Sequence, residues 1–215
     1  MTNVYGKNTA TSAAEAARIT PRAEFRVFGQ HIISAVQPKL WNGRTVLQQA
    51  RRMPAETYFL SRHTRDANVK MRDGLLDIKV KSGQTPEGYE IFQPAGKFQF
   101  PVSHGSLDSI LAALKVAMPD ALSAAHEITI EAFLAAAESH PDLVAVSVEK
   151  MRWGFTIDGV ICEYATVWFN GAMIESACVE SEHYDRMGPV IELLGLDGHT
   201  NTSYIRAAAA IVGLA

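Results

Sequence analysis

Acidic and basic side chains alternate with apolar ones along several segments of this chain, which is how a strand carries charged groups on one face. The pairs Asp73-Gly74, Asp158-Gly159 and Asn170-Gly171 each separate two runs rich in β-branched and aromatic residues. Such pairs supply the positive φ angles of two-residue hairpin turns. The turns set the strand register, so the charged groups that share a face can be worked out.

The hairpin around Asp73-Gly74 separates charged from apolar residues almost completely. Its register places Lys70 opposite Asp77 and Asn68 opposite Lys79, and opposed residues lie on the same side of a sheet. The charged face comprises Asp66, Asn68, Lys70, Arg72, Asp77, Lys79 and Lys81. A face with this many Lys and Arg side chains can bind a multiply charged anion.

The two later turns predict a three-stranded meander with one charged face and one aromatic face. The charged face comprises Lys150, Arg152, Glu163, Glu180 and Glu182, together with small residues. The other face carries Met151, Trp153, Phe155, Tyr164, Trp168, Met173 and Val179. The two cysteines, Cys162 and Cys178, fall on opposite faces, which argues against a disulfide between them.

Two interpretations of the charged faces follow from this pattern. Antiparallel sheets commonly expose one polar face to water, so the charges could simply be solvated. Ala165, Ser176 and Cys178 leave room between the charges, however, and helices could cover the aromatic face. These details favour an enclosed polar lumen. Glu163 interrupts an otherwise apolar strand, so its charge must be paired or bind a ligand.

The same signals divide the rest of the chain into elements. Predicted strands span residues 23–29, 56–62, 66–72, 75–81, 89–93, 145–157, 160–169 and 172–182. Predicted helices span residues 44–52, 106–118, 130–139, 185–194 and 204–214, with Thr129 as an N-cap. Residues 1–22 are poor in bulky apolar types and predict a flexible tail, and residues 23–215 predict one domain.

Composition limits the classes of function. The 215 residues are 47% hydrophobic and carry a net charge of −3, which argues against nucleic acid or membrane partners. The absence of a long apolar segment and of a secretory signal pattern makes the cytoplasm the expected location. The histidines show no zinc-binding spacing. Apolar outer strands and an Ala-rich last helix could also serve a homodimer interface.

At these residues the chain resembles the CYTH, or triphosphate tunnel metalloenzyme, superfamily. The matching segments are Glu24-Phe25-Arg26, Lys70-Met71-Arg72, Asp77-Ile78-Lys79, Lys150-Met151-Arg152, Glu163, Glu180-Ser181-Glu182 and Thr202-Ser203-Tyr204. The resemblance implies an α+β fold, an eight-stranded antiparallel β-barrel (tunnel) with helices packed on the outside. It also implies hydrolysis of inorganic or organic triphosphate, or binding of polyphosphate, with Mg²⁺ or Mn²⁺.

The resemblance and phosphate chemistry together assign roles to these side chains. Phosphate oxygens are expected to contact Arg26, Lys70, Arg72, Lys79, Lys150 and Arg152, with Lys81 at the rim. Hard divalent cations prefer carboxylates, so Glu180, Glu182 and Glu24 are the expected metal ligands. Glu163 and Lys150 are the expected catalytic residues. Alternatively, Glu180 and Glu182 could only balance Lys150 and Arg152 in structural ion pairs, and Lys79 and Lys81 could form a solvated edge.

One departure from the family pattern keeps other functions open. Many CYTH enzymes begin with Glu-x-Glu-x-Lys, whereas this chain has Glu24-x-Arg26-x-Phe28. A base replaces the second acid, which would weaken a metal site there. A non-catalytic module that binds polyphosphate or a nucleotide is therefore one alternative. A class IV type adenylyl cyclase is another, although no base-binding pocket is evident in the sequence.

Overall fold

The structure, a computed structural model, describes residues 21–123 and 125–214. Eight antiparallel strands close into a barrel in the order β1-β5-β4-β3-β2-β6-β7-β8, and β8 pairs with β1. The strands are β1 (Arg22–Gly29), β2 (Thr45–Ser61), β3 (Ala67–Arg72), β4 (Leu75–Gln84), β5 (Glu90–Gln99), β6 (Leu143–Ile157), β7 (Val160–Phe169) and β8 (Ala172–Ser181). The predicted eight-stranded α+β barrel is confirmed.

The helices lie in the connections between strands and after the last strand. They are α1 (Ile32–Val36), α2 (His104–Leu114), α3 (Asp120–Ser123), α4 (Ile130–Ser139), α5 (Met187–Leu194) and α6 (Tyr204–Ile211). The hydroxyl of Thr129 accepts a hydrogen bond from the amide of Ala132 at 3.2 Å, which confirms the predicted N-cap of α4. Of the predicted tail, residues 1–20 lie outside the described residues, and Arg22 already belongs to β1.

The three turn dipeptides set the register that the sequence predicts. Asp73, Asp158 and Asn170 all have positive φ angles, between 48° and 51°, and a glycine follows each of them. Lys70 pairs with Asp77, and Glu163 pairs with Cys178. The charged and apolar faces therefore fall as predicted. Cys162 and Cys178 are both free thiols.

The predicted helix over residues 44–52 is wrong, because this segment forms the first part of β2. The strand is 17 residues long and pairs with β6 from Thr45↔Ile157 to Ser61↔Leu143, with two irregularities. The segment has few apolar residues and no strong strand pattern of its own. Pairing with the long strand β6 satisfies the backbone hydrogen bonds of this segment. The stabilisation from this pairing outweighs the weak local preference of the segment for a helix.

Helices cover the apolar outer face of the barrel in two separate clusters. Ile32 and Val36 of α1, with the apolar face of α5, pack on Phe25, Phe155 and Tyr164. Leu107 and Ile110 of α2 and Phe133 of α4 pack on Phe59 and Ile78. These contacts place bulky side chains outside the strands, so the inner face can hold polar groups.

The last helix, α6, fills one half of the lumen. Its buried residues Tyr204, Ile205 and Ala208 pack against Tyr58 and Val146 of the inner strand face. The amide of Thr202 donates to the carbonyl of Arg26 at 2.7 Å, which ties the start of α6 to β1. One end of the barrel is thus apolar and closed, and the charged residues occupy the other half.

No helix among the described residues has the length and apolar character needed to cross a membrane.

Candidate functional site in the barrel lumen

Glu56 lies at the centre of the charged half of the lumen. Its carboxylate accepts hydrogen bonds from Lys70 at 2.9 Å and from Lys150 at 2.6 Å, and Arg72 lies 3.6 Å away. Only 3% of the residue is exposed. Burial alone would raise the pKa of this carboxyl, but the charges of Lys150 and Lys70 hold it at about 2. Glu56 is therefore ionised and links three of the predicted phosphate-binding cations.

Lys150 sits between the carboxylate of Glu56 and two tyrosine rings. It donates to the hydroxyl of Tyr58 at 2.9 Å and lies 4.3 Å from the ring centroid of Tyr204. Burial lowers the pKa of Lys150 to about 8, although Glu56 opposes this change. The ammonium group is consequently charged at neutral pH and close to losing its proton in mildly alkaline solution.

A second group of charges surrounds Glu163. Arg26 donates to one carboxylate oxygen at 3.2 Å, and Arg152 binds the other oxygen in a short contact. Arg26 also contacts Glu24 at 2.9 Å and Ser176 at 3.3 Å. The prediction that the Glu163 charge must be paired or bind a ligand is confirmed by these two ion pairs.

Cations outnumber carboxylates along this inner surface. The cations are Arg26, Lys70, Arg72, Lys79, Lys81, Lys97, Lys150 and Arg152, and the carboxylates are Glu24, Glu56, Asp77, Glu90, Glu163 and Glu180. Among the described residues Lys79 forms no ion pair, although its charge helps to lower the pKa of Glu24. The excess lies on the exposed part of this surface, at Arg72, Lys79 and Lys97, where it can attract an anionic ligand.

Several buried polar atoms of the lumen have no hydrogen-bond partner. They are Oδ1 of Asn68, Oδ1 of Asp77 and the hydroxyl of Tyr204. Tyr204 is 9% exposed, and Arg26 lies 4.5 Å from its ring centroid. Leaving a buried polar group unpaired is costly, so such atoms in a charged cavity indicate a place where a ligand or water binds.

Ion pairs already fill much of the charged half. Two small cavities remain, of about 40 Å³ beside Glu56, Arg72 and Lys97 and of about 120 Å³ beside Arg152 and Glu163. Either cavity can admit water or a single small group, but a phosphate chain needs more room. A ligand of that size must exchange places with some of the ion pairs or turn the exposed Arg72 and Arg152 aside.

Candidate metal-binding atoms meet at one position on β1 and β8. Single ligand atoms of Glu24, Cys178 and Glu180 all lie within 4.8 Å of one another. Burial raises the pKa of the Cys178 thiol well above its ordinary value, so this thiol is protonated and a poor ligand. The two carboxylates alone suit a hard cation that keeps several water ligands.

Glu182, the third predicted metal ligand, does not join this group. Arg22 contacts Glu182 at 3.2 Å and Glu180 at 3.3 Å. The alternative that these two acids balance Lys150 and Arg152 is wrong, because Lys150 pairs with Glu56 and Arg152 with Glu163. Lys81, expected at the rim, pairs with Glu90 at 2.9 Å.

Sequence reasoning missed Glu56, Tyr58, Tyr204 and Lys97 as parts of the lumen surface. Glu56 and Tyr58 alternate on one strand, which is a usable signal, but no turn dipeptide links β2 to a neighbour and sets its register. Tyr204 lies at the start of a helix, and only the packing of α6 into the barrel brings it near Arg26 and Lys150.

No family model and no curated protein matches this chain. Several solved structures resemble it in fold over most of their length. A conserved hypothetical protein from Pyrococcus furiosus has 14% identity and a TM-score of 0.48, covering 86% of this chain and 98% of that one. A proposed adenylyl cyclase from Hippeastrum with a dominant triphosphatase activity has 11% identity and a TM-score of 0.48, covering 88% and 95%.

A proposed adenylate cyclase from Bacillus halodurans has 11% identity and a TM-score of 0.40, covering 86% of this chain and 96% of that one. At these scores the comparisons carry no argument about the chemistry of this chain. The closed eight-stranded barrel with a charged lumen is the architecture that the CYTH resemblance implies.

Proposed function

We propose that this protein binds a triphosphate in the charged half of its barrel lumen and hydrolyses the terminal phosphoanhydride bond with the help of a divalent cation. The observation that carries the proposal is the convergence of two buried cations, Arg26 and Lys150, on the ring of Tyr204, whose buried hydroxyl has no hydrogen-bond partner. An inorganic triphosphate or the phosphate chain of an organic triphosphate supplies negative charge for these cations and a hydrogen-bond acceptor for the Tyr204 hydroxyl.

The cations divide into an inner and an outer group. Arg26 and Lys150 are buried and fixed by carboxylates, so they are suited to hold the phosphate that penetrates furthest. Arg72 and Arg152 are about two-fifths exposed on their side chains and can turn towards an entering chain. Lys70 and Lys79 complete the set. Guanidinium groups bind phosphate oxygens in pairs, whereas ammonium groups act as point charges.

Glu24 and Glu180 are the proposed metal ligands. Glu182, the remaining candidate, lies two residues after Glu180, just beyond the end of β8, and contacts Arg22. A divalent cation bound there would neutralise developing charge on the phosphate oxygens. Arg22 competes for Glu180, and Arg26 competes for Glu24, so metal binding requires both guanidinium groups to loosen these contacts.

Glu163 and Lys150 are the proposed catalytic residues. Both oxygens of Glu163 accept from arginines, but a carboxylate has about four acceptor sites, so it can also orient an attacking water. Lys150, whose pKa is lowered to about 8 by burial, can stabilise charge on the oxygen of the leaving group. Phosphoryl transfer depends mainly on such positioning and neutralisation.

One contact favours a second function, binding without hydrolysis. Arg26 occupies the strand position at which the related pattern has an acid, and it holds Glu24 at 2.9 Å. If this ion pair persists when phosphate is bound, Glu24 cannot bind a metal, while the cations still hold the phosphate chain. The lumen would then act as a sensor or carrier of polyphosphate or a nucleotide.

The test is phosphate release from inorganic tripolyphosphate with Mg²⁺ or Mn²⁺, beside thermal shift with the same ligand. The double variant Lys70→Ala/Arg72→Ala removes two lumen cations. Arg52→Ala is the matched control, since Arg52 is exposed and pairs with Glu149 on the outer face. We expect metal-dependent release by the wild type and the control, and its loss in the folded double variant.

Stabilisation by tripolyphosphate without turnover would favour the binding function. Absence of both turnover and stabilisation would overturn the phosphate assignment while leaving the barrel intact. Replacing tripolyphosphate by ATP and by thiamine triphosphate then identifies the organic group that the lumen accepts.

A further inference from the structure

A second basic pocket lies at the end of the barrel that α6 closes. Its volume is about 430 Å³. Its lining includes Arg62, His63 and Arg65 from the connection between β2 and β3, Lys115 directly after α2, and Arg206 of α6. Asp66 is the one acidic residue among its described lining residues. The pocket shares no lining residue with the two small cavities of the charged half of the lumen.

Carboxylates neutralise few of these cations. Arg206 lies 3.5 Å from Glu90, and His63 lies 3.2 Å from Asp142. Within residues 21–123 and 125–214, neither Arg62 nor Lys115 forms an ion pair, and the same holds for Arg65. The chain as a whole has a net charge of −3, so this local surplus is not a consequence of a basic composition.

Backbone carbonyls hold two of the cations in place without neutralising them. Arg65 donates to the carbonyls of Ser61, Thr64 and Leu214, and Arg62 donates to that of Pro141 at 3.1 Å. A guanidinium group has five N–H donors, so Arg65 keeps free donors while its position is fixed. A cation oriented in this way loses little conformational entropy when it binds an anion.

Lys115 adds an exposed cation to the lining of this pocket. It follows α2 in the left-handed conformation, with φ of 55°, which usually favours glycine. A lysine there bears a steric cost, and this exposed residue lines the pocket together with Arg62 and Arg206.

We propose that this pocket is a binding site for a multiply charged phosphate compound, separate from the lumen. Its volume lies in the range of small-molecule sites, roughly 300 to 1,000 Å³. The guanidinium groups, which are held in place, and the neighbouring Lys115 can bind phosphate oxygens. Asp66 is the single lining carboxylate that repels an anion there. The inference does not depend on catalysis in the lumen.

The test isolates this pocket by starting from the variant with Lys70→Ala and Arg72→Ala in the lumen. Tripolyphosphate is titrated by calorimetry, while the backbone amide signals of Arg62, His63 and Lys115 are followed by NMR. We expect binding to persist and these amide signals to shift. ATP is titrated in parallel, because equal affinity identifies the phosphate chain as the recognised group and tighter binding of ATP identifies a nucleotide.

Adding Lys115→Gly and Arg62→Gln should weaken this remaining binding about tenfold. Glycine suits the positive φ angle at 115, so that change removes the charge without harming the fold. Arg52→Ala, on the outer face of β2, serves as the matched loss of a surface cation. Binding that is absent in the lumen variant, or unchanged by Lys115→Gly and Arg62→Gln, would overturn the proposal.

Discussion

At the scale of single residues, the lumen contains a polar atom that the folded chain does not use. The hydroxyl of Tyr204 is buried without a partner, while cations lie against its ring. Folding has therefore accepted a desolvation cost at this position. Such a cost is recovered when a ligand accepts the hydrogen bond, which makes Tyr204 a sharper reporter of ligand binding than any of the ion-paired cations.

Replacing Tyr204 with Phe should raise stability and weaken binding at the same time. Removing an unpaired buried hydroxyl is expected to raise the free energy of unfolding by about 1 kcal/mol and to weaken tripolyphosphate binding about tenfold. Chemical denaturation and calorimetry measure the two effects. Tyr164→Phe is the control, since its hydroxyl accepts from Gln37 on the outer face. Unchanged affinity in the Tyr204 variant would remove this residue from the site.

Glu56 has the opposite character, because its charge is essential to the fold of the lumen. Glu56→Gln leaves Lys150 buried without its counter-ion and should lower the free energy of unfolding by about 3 kcal/mol at neutral pH. Glu149→Gln is the matched control: this acid is exposed, pairs with Arg52, and should contribute less than about 1 kcal/mol. Urea denaturation of both variants distinguishes the two cases.

The pH dependence of stability should identify the same carboxyl. Its pKa is lowered on folding from 4.5 to about 2 because Lys150 and Lys70 outweigh the effect of burial. The resulting stabilisation is complete above pH 4.5 and is lost as the pH falls through about 2. The wild type should therefore lose more stability over this interval than Glu56→Gln. Parallel curves for the two proteins would show that Glu56 is not the responsible group.

At the scale of elements, the arrangement of the site depends on the docking of α6 inside the barrel. Ala208 is fully buried against the inner strand face, whereas Ala210 on the same helix is exposed. The small side chains of this helix allow it to enter a space that the strands enclose. The helix also positions Tyr204, so packing and site geometry are linked through one element.

Replacing each of these two alanines with Asp distinguishes the effect of α6 docking from the effect of a changed helix propensity. Ala208→Asp places an unpaired charge in the apolar half of the lumen and should lower the free energy of unfolding by at least about 3 kcal/mol. Ala210→Asp makes the same chemical change in water and should have an effect within about 0.5 kcal/mol. Equal losses in chemical denaturation would contradict the buried position of α6.

At the scale of the whole molecule, a net charge of −3 coexists with a cationic lumen. Long-range repulsion of an anion is weak at this net charge, while the mouth residues Arg72 and Arg152 attract it at short range. Segregation of charge, rather than an excess of it, would therefore allow the lumen to bind a small anion as proposed.

Salt should weaken ligand binding in spite of the negative net charge. Between about 0.05 M and about 0.5 M KCl the screening length shortens severalfold, so we expect a clear fall in tripolyphosphate affinity. Calorimetric titrations across this range measure it. The variant with Lys70→Ala and Arg72→Ala should show a smaller salt dependence. An affinity that rises with salt would mean that the overall charge, and not the lumen, governs binding.

Local chemistry made a large part of this molecule predictable. Turn dipeptides with positive φ set the registers of β3–β4 and of β6–β7–β8, and strand alternation then placed Lys70, Arg72, Lys150, Arg152 and Glu163 on one surface. Each of these relations spans few residues along the chain. Backbone sterics at the turn and the two-residue period of a strand are sufficient to define them.

The remaining relations join residues that are far apart in sequence. The pairing of β1 with β8, the long pairing of β2 with β6 and the entry of α6 into the barrel have no local signal. They bring Glu56 to Lys150, Arg26 to Glu163, and Tyr204 to both groups. Residues 44–52 likewise form a strand because β6 offers them partners. The strand sequences determine which residues line the lumen. The contacts among Glu56, Lys150 and Tyr204 form only when the barrel closes around the last helix.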